Sequence, residues 1–210
     1  SSSAQVNKAT LSLCWYYPSG SRPNDTIIEI YRPAASWDPG YVSWNMRNNA
    51  SSWNNPGGDW YDKNGILQGS TPYATLTVKA DSLPSNTSCE LNVTDLVKDY
   101  ISGKYTNTGI LIKARSESNN YIAFYSADCG NASRVPKLNV TKKETVNTTL
   151  TGAKDNRLRE SSPAGVFGTD SYLDVGGLSG RYRDLISFNL SGYSSSAQVN
   201  KATLSLCWYY

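Results

Sequence analysis

The chain contains no histidine. That absence removes Ser-His-Asp and Cys-His catalysis, histidine-ligated zinc and histidine pH switching. No apolar run approaches the ~18 residues that a bilayer-crossing helix needs, so no membrane span is expected. Charge of one sign is also scarce. Twenty Lys and Arg stand against 17 Asp and Glu, a net charge of +3 scattered over 210 residues. A nucleic-acid binder must neutralise many phosphates together, and no basic cluster is present to do so. The remaining composition, 39% apolar and 18% charged, is that of a globular chain and not of a disordered one.

The main feature present is a long exact repeat. Residues 1–17 read SSSAQVNKATLSLCWYY, and residues 194–210 read the same. The offset is 193 residues. The chain therefore reads as one period of a tandem repeat plus the first seventeen residues of the next copy. Cys14 and Cys207 are one repeat position, which leaves three distinct cysteines per period: Cys14, Cys89 and Cys129. Three is odd, so at most one disulfide closes within a repeat. Cys89 with Cys129 is the candidate pair, with Cys14 as the spare thiol.

The segment PKLNVTKKETVNTTL (136–150) has the pattern of a seam. Leu138 and Val140 alternate as a strand, Lys142 and Lys143 form a short polar joint, and Val146, Thr148 and Leu150 alternate again. On this reading residues 1–141 finish one domain, 142–143 join, and 144–210 start the next. The strand ATLSLCWYY then has one place in each unit and two identical candidates in this chain, residues 9–17 and 202–210. Leu11, Leu13 and Trp15, or equally Leu204, Leu206 and Trp208, form its inward face. The copy left over must belong to a neighbour, by covalent continuation or by strand exchange. Either contact is head-to-tail and does not close on itself.

Short alternating segments rich in Val, Ile, Thr and Tyr dominate the chain. About ten such strands predict an all-β, jelly-roll-like β-sandwich. One short helix is expected at TDLVKDYISGK (94–104), capped by Thr94 or Asp95 and ended by Gly103. GILIKAR and YIAFYS, separated by SESNN, read as a hairpin. A long loop over 32–72 carries Trp37, Trp44, Trp53 and Trp60. These indoles, with Asp59 and Asp62, are candidates to stack on and bond a sugar, or else they pin the loop to the sandwich. Asp155 and Glu160 are hard-oxygen candidates for calcium, or else partners of Arg157 and Arg159 in a loop held by Arg–carboxylate bonds. No other cofactor is indicated. Eight Asn-X-Ser/Thr sequons occur. Asn24, Asn49, Asn86, Asn131 and Asn147 are the glycosylation candidates. No carboxylate pair stands out for glycoside chemistry, so the chain reads as a non-enzyme.

DNRLRE (155–160), FGTDSYLDVGG (167–177) and YRDLISFNLSGY (182–193) carry a resemblance. KATLSLCWYYPSGSRPNDTIIEIYRPA (8–34), NNPGGDWYDKNG (54–65), ELNVTDLVKDYISGKYTNTGILIKARSE (90–117) and YIAFYSADCGN (121–131) extend it over nearly the whole period. The sequence resembles the disaggregatase-related (DNRLRE) repeat family. The resemblance implies β-sandwich domains in tandem, in secreted and surface-layer-type proteins of methanogenic archaea. It also supports the seam at 142–143, and related modules occur beside polysaccharide-active enzymes. The expectation is an extracellular, cell-surface structural protein. Its partners would be identical neighbouring repeats, head-to-tail, in a filament, sheath or surface layer. The alternative is a carbohydrate-binding module that holds matrix polysaccharide.

Overall fold

The computed structural model describes residues 6–17, 24–80, 88–142, 147–151, 154–193, 199 and 201–208. Thirteen strands and one helix follow in chain order: β1 (Val6–Tyr17), β2 (Thr26–Pro33), β3 (Trp60–Tyr61), β4 (Ala74–Val78), β5 (Ser88–Asn92), α1 (Thr94–Ile101), β6 (Ile110–Ala114), β7 (Ile122–Tyr125), β8 (Lys137–Lys142), β9 (Asn147–Thr151), β10 (Lys154–Arg159), β11 (Tyr172–Gly177), β12 (Arg181–Ser187) and β13 (Lys201–Trp208).

They form a two-layer, all-β sandwich. In one layer β1 lies between β5 on one edge and β7 and β8 on the other, and β7 continues to β11. In the second layer the order is β4-β2-β6-β12-β10. β11 joins the layers, pairing with β7 through residues 172–175 and with β12 through Gly176 and Gly177. Residues 154–193 and 6–142 thus complete one sandwich between them.

Alternation explains the core. Leu11, Leu13 and Trp15 of β1 face Ile28 and Ile30 of β2, Ile110 and Ile112 of β6 and Ile186 of β12 in the main cluster between the layers. Trp15 meets Phe124 edge-on at 5.6 Å. Helix α1 closes one end, laying Leu96, Val97, Tyr100 and Ile101 on that cluster. Gly103, at φ 74°, ends it as expected. Its start differs from expectation. Val93 is the cap and no side chain caps it. Thr94 is the first helical residue, and its hydroxyl donates to Asn92 Oδ1 at 2.6 Å.

Two further expectations change. β6 and β7 do not form a hairpin, because β6 pairs in one layer and β7 in the other. The 115–121 connection crosses between layers. It lies directly on β11, where Gly176 and Gly177 carry no side chain to hold it off. The DNRLRE segment is not a loop but strand β10, paired with β12 from Lys154↔Ser187 to Arg159↔Tyr182. Its buried charges hid the strand pattern. The 142–143 joint falls partly outside the described residues, and β9 lies against β8, with Thr149 donating to Asn139 Oδ1 at 2.6 Å.

Candidate functional site

The site that the repeat predicts is the position of β1. The strand there makes ladder bonds on both edges. Thr10↔Asn92 to Cys14↔Ser88 join it to β5, Ala9↔Val140 to Ser12↔Lys137 to β8, and Trp15↔Phe124 to β7. β13 makes the same pairings 193 residues later: Leu206↔Cys89, Cys207↔Ser88, Ala202↔Val140, Leu204↔Leu138 and Trp208↔Phe124. Thr94 Oγ1 accepts from Ala9 N–H and from Ala202 N–H. The Ser133 carbonyl accepts from Cys14 Sγ at 3.9 Å and from Cys207 Sγ at 3.8 Å. The two copies run parallel in register, Ala9 with Ala202 and Trp15 with Trp208, and occupy the same place at Cys14 and Cys207. Two chains cannot share one volume, so β1 and β13 are alternative occupants of a single slot. The Cys14 and Cys207 sulfurs meet for that reason. A bond between them would hold both copies where there is room for one.

The slot is almost wholly apolar on its inner face. Leu11, Leu13, Trp15, Leu204 and Leu206 are all 0% exposed; the side chain of Trp208 lies outside the described residues. Burying each such side chain contributes roughly 1.5–3 kcal/mol. An empty slot would also strand the facing edges of β5 and β8, which would then accept any strand of matching register.

At the edge of the second layer, β10 buries a run of charged and polar side chains. Every residue of DNRLRE has a structural partner. Asp155 accepts from Ala127 N–H at 2.7 Å. Asn156 donates to the Pro39 carbonyl at 3.0 Å and accepts from Phe167 N–H at 3.1 Å. Arg157, 1% exposed, bonds Asp174 at 3.0 Å and also Asp170. Its guanidinium lies over the Tyr172 ring at 4.1 Å. Leu158 packs in a second apolar cluster. Arg159 sits over Phe167 and Tyr182, and Glu160 pairs with Arg181 at 2.7 Å. Burial pushes the Asp155 carboxyl up to about 7, and it also raises Asp174 and Asp184 despite Arg157.

The calcium expectation is not met by this geometry. Asp155 is buried against Ala127 N–H, and Glu160 is held by Arg181 in the turn after β10. Among the described residues no group of three or more Asp, Glu, His or Cys converges to hold a metal.

The tryptophans pin the loop. Trp44 and Trp53 are 3% and 4% exposed and pack with Tyr31, Leu111, Leu158 and Leu185 on the outer face of the second layer. Trp37 and Trp60 are half-buried against the same cluster. Their ring N–H groups are spent on backbone carbonyls: Trp37 on Thr108, Trp53 on Ser43, Trp60 on Gly69. Asp59 and Asp62 are buried too. Asp59 accepts from Asn54 and Asn55 N–H, and Asp62 from Asn64 and Ile66 N–H. The six residues build a lobe and do not line a sugar groove. Gly57, at φ 92°, belongs to the same construction. A Cβ there would meet Arg183 Nη1 at 2.5 Å and Trp44 at 2.7 Å.

A different aromatic surface appears. A cleft of about 250 Å³ is lined by Tyr16, Tyr121, Tyr172 and Tyr182, with Arg159 and Asp174. Its tyrosines come from β1, β11, β12 and the 115–121 crossing, so no sequence spacing could reveal it. Of the sequons, Asn24, Asn49 and Asn131 are exposed. Asn86 and the side chain of Asn147 lie outside the described residues. Cys89 and Cys129 are free thiols on opposite faces of the slot layer. Cys89 is paired with Leu13 and shares its inward face, so the expected Cys89–Cys129 bond would have to pass through the sheet.

The fold and site define a repeat-unit β-sandwich with one strand position claimed twice. The family model for the disaggregatase related repeat domain matches residues 1–140 and 155–210, and the chain belongs to that family. No curated protein and no solved structure matches it.

Two outcomes are expected. Leu13→Ala or Leu206→Ala alone should leave denaturant unfolding nearly unchanged, because the intact copy takes the slot. The double variant should lose roughly 2–5 kcal/mol, the range for a buried leucine. A full loss in either single variant would show that the copies are not interchangeable. The second outcome concerns pH. Asp155 takes up its proton more readily folded, at about 7, than unfolded, near 3.8. Its ionised form is therefore penalised in the fold above about 7, and stability should rise as pH falls from 7 toward 4. Asp155→Asn should flatten that rise in a melting-temperature series, whereas an unchanged slope would remove Asp155 as its source.

Proposed function

We propose that this chain is a structural unit of an extracellular, cell-surface polymer, strung head-to-tail through the β1/β13 slot. The observation that carries the reading is one slot with two identical claimants. Each unit receives the strand that follows Tyr193 of the unit before it. In a longer polypeptide that strand is the covalent continuation; between separate chains it is an exchanged strand. Either way every junction is the same contact, so one favourable fit is multiplied along a filament, sheath or layer. The break in the family match between 140 and 155 supports a seam in that interval. The exposed sequons at Asn24, Asn49 and Asn131 support a secreted setting.

The experiment is to bar one copy at a time. Proline removes a ladder donor and cannot sit in a central strand. Leu206→Pro should give folded monomers by light scattering, and Leu13→Pro likewise, while the unaltered chain forms concentration-dependent multimers. Multimers that persist in both variants would refute the slot as the junction.

A second reading, carbohydrate binding, is favoured by the tyrosine cleft. Aromatic faces stack on pyranose rings, and the half-buried Arg159 supplies a polar contact at the same place. Tyr121→Ala should abolish retardation in polysaccharide affinity gels, and Trp37→Ala should not. Retardation lost with Trp37→Ala and kept with Tyr121→Ala would reverse the assignment.

A further inference from the structure

We propose that the cysteine of the seated strand forms a disulfide with Cys129, latching the strand into its slot. The latch closes within a lone unit as well as between units, so it does not rest on the head-to-tail reading.

Face, path and hydrogen bonding point to it. Leu13 and Trp15 point into the main core, which puts Cys14 on the outer face with Tyr125, and Cys129 packs against that same outer cluster. The path of the chain carries Cys129 to that spot. β5 still faces Cys14 on one edge of the slot, so β7, which meets Trp15, lies on the other edge in line with β8. The chain leaves that edge after Tyr125, opposite the strand's Trp15 end, and rejoins it at Lys137, opposite Ser12. The 126–136 excursion therefore bridges the stretch that holds Cys14. Both thiols also address one short turn. Cys129 Sγ approaches the Asn131 carbonyl at 3.5 Å, and Cys14 Sγ approaches the Ser133 carbonyl at 3.9 Å. Cys207 Sγ repeats the latter contact at 3.8 Å, so the latch serves either copy.

The chemistry is thiol–disulfide exchange with a low-molecular-weight disulfide as oxidant. The half-exposed Cys129 thiolate attacks one sulfur of that oxidant and releases one small thiolate. The Cys14 thiolate then attacks the mixed disulfide at the Cys129 sulfur and releases the second. Both protein thiol protons end on the two released thiols, which carry away the two electrons. Cys89 takes no part: it faces the core, and burial pushes its thiol well above the usual range. When the seated strand comes from a neighbouring chain, the same bond joins two chains.

The test is a thiol map of the full chain folded in a mixture of reduced and oxidised glutathione. Free thiols are alkylated before and after unfolding, and digests are read by mass spectrometry without reduction. Cys129 should appear joined to the peptide of Cys14 or of Cys207, with Cys89 recovered as an alkylated free thiol. Cys129→Ser should abolish the link and the sensitivity of the melting temperature to reductant, and Cys89→Ser should leave both. Recovery of Cys129 as a free thiol in the oxidised, folded chain would overturn the proposal. So would Cys129 joined to Cys89, or Cys14 joined to Cys207. Should Cys129→Ser fail to fold, the map of the unaltered chain decides by itself.

Discussion

Everything in this molecule depends on filling the position between β5 and the β7/β8 edge. An interior strand satisfies two ladders and delivers three core side chains at once. Removing it exposes two rows of unpaired backbone groups and opens the centre of the main cluster. The unit therefore cannot leave the slot vacant, and the sequence supplies the strand twice. In the assembly proposed above, that surplus would turn a self-contained sandwich into a component with a donor and an acceptor.

The second constraint is the buried charge on β10. Arg157 is almost fully enclosed and would be costly alone; Asp174 and Asp170 offset that cost, and the Tyr172 face covers the guanidinium. The arrangement fastens β10 to β11, while Asn156 ties it to Pro39 at the base of the tryptophan lobe. The DNRLRE string thus holds three parts of the unit together. Of its two acidic members, Asp155 is relieved by protonation, whereas Glu160 is held ionised by Arg181.

Much of this was legible in the sequence. The exact repeat showed that one position has two claimants. Alternation located Leu11, Leu13 and Trp15, and helical spacing located Leu96, Val97, Tyr100 and Ile101. What stayed hidden did so for physical reasons. β10 buries Asp155, Asn156, Arg157 and Leu158 in succession, so no polar–apolar alternation marks it. SESNN has the composition of a hairpin turn, but whether two strands pair or part company depends on which layer each joins. Four tryptophans in a polar loop look alike whether they face solvent or a second core, and here the outer face of β2, β6 and β12 offered them one. Face parity would have excluded Cys89 with Cys129, but only once the register of β5 against β1 was known.

The direction in which the slot strand is held has a further consequence. A tether pulled along the axis of a strand bonded on both edges loads its ladder in shear. The hydrogen bonds to β5 and β8 then share the force and must fail together, whereas a strand peeled from a free edge gives way one bond at a time. A string of these units would resist tension at its junctions about as well as within its sandwiches, and it would part by abrupt rupture instead of gradual creep.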